Sequence, residues 1–272
     1  GIPFAQPPLG DLRWQVPKPV VSWQGVRKAN AFAPACMQPW NPAEHPRPSE
    51  DCLYLNVWTT AASSGERRPV IVWIHGGGLI GGRSWEQVSD GANLAREGAV
   101  VVTIAYRVGA FGFLAHPELT RENGKTSGNY GLHDMIAALA WVQDNIAQFG
   151  GDSRRVLVIG GSAGAAAISV LAASPHAKGL YSRAAAFGAA MFVAGVSDDP
   201  EYVFFYPTLK YAEQRGEALF QDVGWPDLKA ARARSADAVL RATEGSSPRY
   251  GFIRDGELVQ GYNHELFQQL AL

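Results

Sequence analysis

The sequence predicts an α/β fold with a mostly parallel central sheet flanked by helices, and three observations predict it. Short apolar runs at 70–74 (VIVWI), 100–106 (VVVTIAY) and 156–159 (VLVI) have the composition of strands buried on both faces. Leu132, Met135, Ile136, Leu139, Val142, Ile146 and Phe149 recur at spacings of three and four, the pattern of an amphipathic helix, and Gly150-Gly151 stops it. The run at 156–159 ends in Gly160-Gly161-Ser162-Ala163-Gly164, after which 165–171 reads as helix. Strands alternating with helices argue parallel strands joined by crossovers.

Taken in order, residues 1–50 are rich in Pro and Trp and lack periodicity, which reads as a covering segment of turns. Residues 53–58 (LYLNVW) read as a strand, 61–69 as a loop, and 70–74 as a buried strand. Residues 86–97 read as helix, 100–106 as the next strand, and 132–149 as the amphipathic helix. After the strand at 156–159 one more is expected at 184–187. Past about 200 the pattern turns helical and polar, ending in the helix-like HELFQQLAL at 264–272. No repeat or linker divides the chain, so one α/β domain is expected over 1–272. The chain opens at Gly1 in loop-like sequence and stops inside a helical pattern, so both ends are expected to be cut.

With 272 residues, 47% of them hydrophobic, the chain can bury one large α/β core. A net charge of −1 with scattered Lys and Arg argues against nucleic acid as a partner. No apolar run approaches the roughly 18–20 residues of a membrane span. Neither H-E-x-x-H nor paired C-x-x-C occurs, so no metal and no organic cofactor is implied. The two cysteines, Cys36 and Cys52, suit a loop closure worth about 3 kcal/mol if oxidised. On their count alone, two buried thiols are the alternative.

The pentapeptide at 160–164 is a G-x-S-x-G motif with a strand before it and a helix after it. That context makes it a nucleophile elbow: the glycines admit a sharp, strained turn that exposes the Ser162 hydroxyl at the strand tip. A solvated serine in a Gly-rich turn is the plainer account, and the flanking strand and helix weigh against it. The second glycine cluster, His75-Gly76-Gly77-Gly78-Leu79-Ile80-Gly81-Gly82, also fits G-x-G-x-x-G. As a dinucleotide site it lacks the βαβ context, since no helix opens directly from it. A strand followed by HGGG instead offers backbone N–H groups for an oxyanion hole, where one donor is worth on the order of 3 kcal/mol in the transition state. His75 is expected to orient that loop rather than to act as a base.

Several motifs together resemble the type-B carboxylesterase and cholinesterase family of α/β-hydrolases. They are GIPFAQPPLGDLRW (1–14), SEDCLYLNVW (49–58), VIVWIHGGG (70–78), YRVGAFGFLA (106–115), SGNYGLHD (127–134), WVQDNIAQFGGD (141–152) and GGSAG (160–164), in family order, with DGELV (255–259) resembling a later segment. The resemblance implies an α/β-hydrolase fold, here truncated at both ends. It also implies hydrolysis of a small-molecule carboxylic ester through an acyl-enzyme, with Ser162 as nucleophile and the N–H groups of Gly77, Gly78 and Ala163 as oxyanion hole. A Cys36–Cys52 disulfide follows from the family's first bridge, and with it a secreted or periplasmic location.

The family's acid and histidine follow the DGELV segment, and only 13 residues lie beyond Val259. No acid or base is therefore assigned; His45, His116, His133, His176 and His264 do not hold the family position. A serine with an oxyanion hole but no base keeps only about 10³–10⁴-fold catalysis, so the chain by itself is expected to be nearly inert. Gly161 stands where the family usually has glutamate, Ala167 where serine is common, and Phe187-Gly188-Ala189 where Gln-Ser-Gly is usual. Trp40-Asn41-Pro42 resembles the segment carrying the choline-stacking tryptophan of cholinesterases. Without the carboxylate at 161, neutral esters are the expected substrates. A non-catalytic binding or adhesion protein on the same fold and an inactive gene fragment are the rival readings.

Overall fold

The computed structural model describes residues 1–41, 46–188, 206–244 and 250–261. Among these, β1 (Ile2–Pro3), β2 (Tyr54–Trp58), β3 (Arg68–Ile74), β4 (Val100–Ile104), β5 (Gly151–Gly161) and β6 (Arg183–Phe187) form one sheet in the order β1-β2-β4-β3-β5-β6. The four strands from β4 to β6 run parallel, and β2 and β1 continue the sheet antiparallel. Register pairs Val72 with Val102 on one side and with Val158 on the other. Val70, Val72, Ile74, Val100, Val102, Ile104 and Val156 are wholly inaccessible, as expected for parallel strands covered on both faces.

The helices are α1 (Ala92–Arg96), α2 (Gly109–Phe113), α3 (Pro117–Asn123), α4 (Tyr130–Asn145), α5 (Ala163–Ala173), α6 (Leu209–Asp222), α7 (Leu228–Arg232) and α8 (Ala236–Glu244). The expected amphipathic helix is α4 followed by one 3-10 turn, closed by Gly150 at φ 79°. It buries Leu132, Met135, Ala138, Leu139 and Val142. The strands expected at 53–58 and 184–187 are β2 and β6, and residues 1–50 are mostly coil over the sheet. A second apolar cluster joins Trp14, Phe111, Leu119, Phe220, Trp225 and Val239, packing the later helices against the N-terminal segment.

The helix expected over 86–97 is corrected. It is a 3-10 turn (Gln87–Ser89) and then the short α1, separated at Asp90-Gly91. Gly91 lies so close to the sheet that a Cβ there would be 2.8 Å from Val101 and 3.0 Å from the Trp58 ring. The Asp90 carboxylate accepts the Ala92 N–H at 2.9 Å, an Asx turn that leads into α1. The stretch at 264–272, together with Pro42, His45, Ala189 and His264, lies outside the described residues.

Topology selects one place on this sheet. The connection β3–α1–β4 moves to one side of β3, whereas β5–α5–β6 moves the other way, and β3 and β5 are neighbours. Adjacent strands whose connections diverge leave a crevice beyond their carboxyl ends. Both glycine clusters picked out in the sequence sit there, one leaving β3 and the other leaving β5.

Candidate active site

The turn from β5 into α5 is made at Ser162, whose φ of 52° and ψ of −121° are rare for a residue with a side chain. Its N–H donates to the Phe187 carbonyl at 2.9 Å, and its own carbonyl accepts from Ala166 N–H at 3.0 Å, opening the helix. The side chain is exposed at the strand tip, and no described side chain hydrogen-bonds its hydroxyl. The flanking glycines are needed for contact. A Cβ at Gly160 would lie 3.0 Å from the Ile74 carbonyl oxygen, and one at Gly164 would overlap that same oxygen. Gly161 is different: the nearest atom to a Cβ there is the Trp73 ring at 3.4 Å.

The loop leaving β3 lies against this turn. A Cβ at Gly76 would be 2.8 Å from the Gly161 carbonyl oxygen and 3.1 Å from Ser162 Cβ. The Gly77 carbonyl accepts from the N–H groups of Ile80 and Gly81, both at 3.1 Å, and Leu79 accepts from Gly109 N–H at 2.6 Å. Gly77 and Gly78 have φ values of 104° and 63°, a backbone open to glycine. Their N–H groups, and that of Ala163 at the start of α5, have no backbone acceptor among the described residues.

His75 is 1% exposed and stacks on Tyr106 with ring centres 4.2 Å apart. Its Nδ1–H donates to the Gly76 carbonyl at 2.8 Å, and the Tyr106 hydroxyl donates to the His75 carbonyl at 2.9 Å. Burial pushes its pKa down to about 4, against a smaller upward pull from the Gly76 carbonyl. A neutral imidazole, bonded to the Gly76 carbonyl and stacked on Tyr106, holds the loop. His116 caps α3 through its Nδ1 and stacks on Phe220, and His133 lies in α4.

Cys36 and Cys52 are joined in a disulfide with Cα atoms 4.9 Å apart. Trp40 is half-buried, and the Arg47 guanidinium sits 5.6 Å over its ring. Arg47 also forks onto Asp237 at 2.7 and 2.8 Å, so one face of that ring already carries a cation of the protein itself. Ala167 is fully buried in α5, and Gly188 is exposed at φ 78°.

Sequence reading missed the clamp on the glycine loop and two buried polar ties elsewhere in the fold. Gln38 clamps Gly82, Asn129 binds Ile253 through N–H and carbonyl alike, and Arg107 pairs with Asp134 in the interior. Only Asn129 left a local signal, as the αL residue before α4 at φ 53°.

A family model described as the carboxylesterase family matches residues 1–241. The chain belongs to the carboxylesterase family. It is 50% identical over 189 residues to the fumonisin B1 esterase of Sphingopyxis macrogoltabida, covering 68% of this chain and 35% of that one. It is 46% identical over 190 residues to the para-nitrobenzyl esterase of Bacillus subtilis strain 168, covering 68% and 38%. The chain thus spans between a third and two-fifths of the length of these two curated relatives. A Geobacillus stearothermophilus carboxylesterase crystal structure superposes with a TM-score of 0.85 at 35% identity, over 100% of this chain and 54% of that one. The sheet and its helices are therefore those of a carboxylesterase, an α/β-hydrolase fold.

Proposed function

We propose that this protein hydrolyses carboxylic esters, with Ser162 as the nucleophile. The observation that carries the reading is the juxtaposition at the sheet's divergence point: a strained, exposed serine against a glycine loop with unengaged N–H groups. Ser162 Oγ attacks the ester carbonyl, and its proton passes to a base. The N–H groups of Gly77, Gly78 and Ala163 receive the developing alkoxide, to which the positive end of α5 adds. Collapse expels the alcohol and leaves an acyl-serine, which water cleaves by the reverse route. The base is neither His75, which is buried and holds the loop, nor His116, which caps α3. As in the family the chain resembles, the acid and histidine would follow the DGELV segment.

Neutral esters are the proposed substrates. Position 161 carries no carboxylate, and the Trp40 ring is already faced by Arg47. Relatives named for fumonisin B1 and for para-nitrobenzyl esters hold the reading to the ester bond rather than to one alcohol. The Cys36–Cys52 bridge supports a secreted or periplasmic protein, since such bridges persist outside the reducing cytosol.

The test is p-nitrophenyl butyrate hydrolysis by the full-length protein and by Ser162→Ala. The variant should lose roughly 10⁴-fold or more in kcat, and a choline ester should gain nothing over a neutral ester of the same acid. Equal rates from the two proteins would sink the proposal.

A further inference from the structure

The glycine loop has five glycines among the seven residues 76–82, and its other two side chains are Leu79 and Ile80. No side chain of its own can fix it by hydrogen bonding, and glycine backbone carries the greatest conformational freedom to lose. A donor array is useful in a transition state only if it is already aimed, so the aim must come from outside the loop. At the start of the loop His75 and Tyr106 supply it. At its end the peptide groups of Gly82 are gripped by one buried carboxamide. Gln38 Oε1 accepts the Gly82 N–H at 2.7 Å, and Nε2 donates to the Gly82 carbonyl at 2.8 Å and to the Cys36 carbonyl at 3.0 Å. One N–H and two carbonyls can be met by only one orientation of the amide, so the partners fix its rotamer.

Contact carries this grip to the elbow. A Cβ at Gly82 would overlap the His75 ring and lie 2.5 Å from the Gly76 carbonyl oxygen; Gly76 abuts Gly161 and Ser162 in the same way. Gln38 sits two residues from Cys36, whose bridge to Cys52 anchors the segment beside β2. We propose that Gln38 is a positioning residue: it transmits the rigidity of the disulfide-anchored segment to the glycine loop and holds the N–H groups of Gly77 and Gly78 at the height of the oxyanion. The inference rests on the ester-hydrolase reading above.

The experiment compares wild type, Gln38→Met and Gln38→Glu in the full-length protein, with Arg13→Met as a control outside the loop, since Arg13 is 4% exposed and pairs with Glu50 at 2.6 Å. Gln38→Met keeps the length and removes all three bonds; Gln38→Glu keeps only the acceptor for Gly82 N–H. Measured are kcat and KM on p-nitrophenyl butyrate, the affinity of a trifluoromethyl ketone whose hemiketal mimics the oxyanion, and Tm. A misaimed donor array should lower kcat and ketone affinity in parallel, about tenfold or more in Gln38→Met and less in Gln38→Glu, with KM within about twofold. Arg13→Met should lower Tm and leave kcat unchanged. If Gln38→Met fails to fold, Gln38→Glu decides alone. A Gln38 variant with reduced Tm and unchanged kcat and ketone affinity makes the residue a purely structural clamp and overturns the inference. Wild type no faster than Ser162→Ala is a different failure, because it removes the hydrolase reading and this inference with it.

Discussion

Ser162 and its neighbouring glycines show how much one residue's backbone can decide. The turn from β5 to α5 needs a residue at φ 52° that also carries a hydroxyl, and glycines on either side let β3 approach it. The glycines of one motif are not equivalent, however. At Gly164 an added methyl would overlap the Ile74 carbonyl oxygen and lie 2.8 Å from that of His75, both of them backbone with nowhere to go. Gly164→Ala should therefore cost at least about 3 kcal/mol, despite the roughly 1 kcal/mol that alanine gains in a helix. At Gly161 the methyl meets only the Trp73 ring edge at 3.4 Å. Gly161→Ala should stay within about 1 kcal/mol of the parent. Urea midpoints of the two variants check both values. The pentapeptide was legible in the sequence because its constraint is local. Gln38 was not, because its partner Gly82 is 44 residues away and a lone glutamine after Cys-Met marks nothing.

Among elements, α4 reads most clearly from sequence, since its apolar residues keep helical spacing over four turns. What aims it is less visible. Asp134 takes both the Nε–H of Arg107 at 2.8 Å and its backbone N–H at 3.0 Å on one oxygen, and the guanidinium at 2.7 Å on the other. The pair is buried, with side-chain exposures of 3% and 0%, and Arg107 also reaches the Gln15 carbonyl at 2.9 Å. It thus ties the exit of β4 to α4 and to the N-terminal segment. Removing one partner leaves a charge buried and unpaired, so Arg107→Met should destabilise by about 3–5 kcal/mol. Arg107→Met with Asp134→Leu should recover most of that loss in the same thermal melt. A double variant no more stable than the single one would mean that the geometry of the pair, and not the stranded charge, is what matters. The helix expected at 86–97 shows the opposite limit: its composition suits a helix, and contact between Gly91 and the sheet breaks it.

Across the whole molecule, burial of histidine makes stability depend on pH. Burial lowers the pKa of His75 from the ordinary 6.5 to about 4, and it lowers those of His116 and His133 in the same direction. The unfolded chain takes up these protons near pH 6.5 and the native state does not, so the unfolded state binds more protons between the two values. The histidine contribution to stability should be complete above pH 6.5 and be lost as pH drops towards 4. His75 alone accounts for on the order of 3 kcal/mol. Chemical denaturation at pH 7.5, 5.5 and 4.5 measures it, and a flat profile would contradict the burial of these rings.

The linear chain was sufficient for whatever depends on neighbours in sequence. Apolar runs marked the strands, spacing of three and four marked α4, and two glycine clusters, each following a strand, marked the candidate site. Those signals are local because backbone sterics and side-chain periodicity act over a few residues. The order of strands, and so the divergence of β3 and β5 that brings Gly76 against Ser162, follows from how crossovers pack on a twisted sheet. The Gln38 clamp, the Arg107–Asp134 pair and the Arg47 cation over Trp40 exist only once segments distant in sequence are packed together. Burial is what gives the first two their weight, since a polar group removed from water must find its partner in the fold.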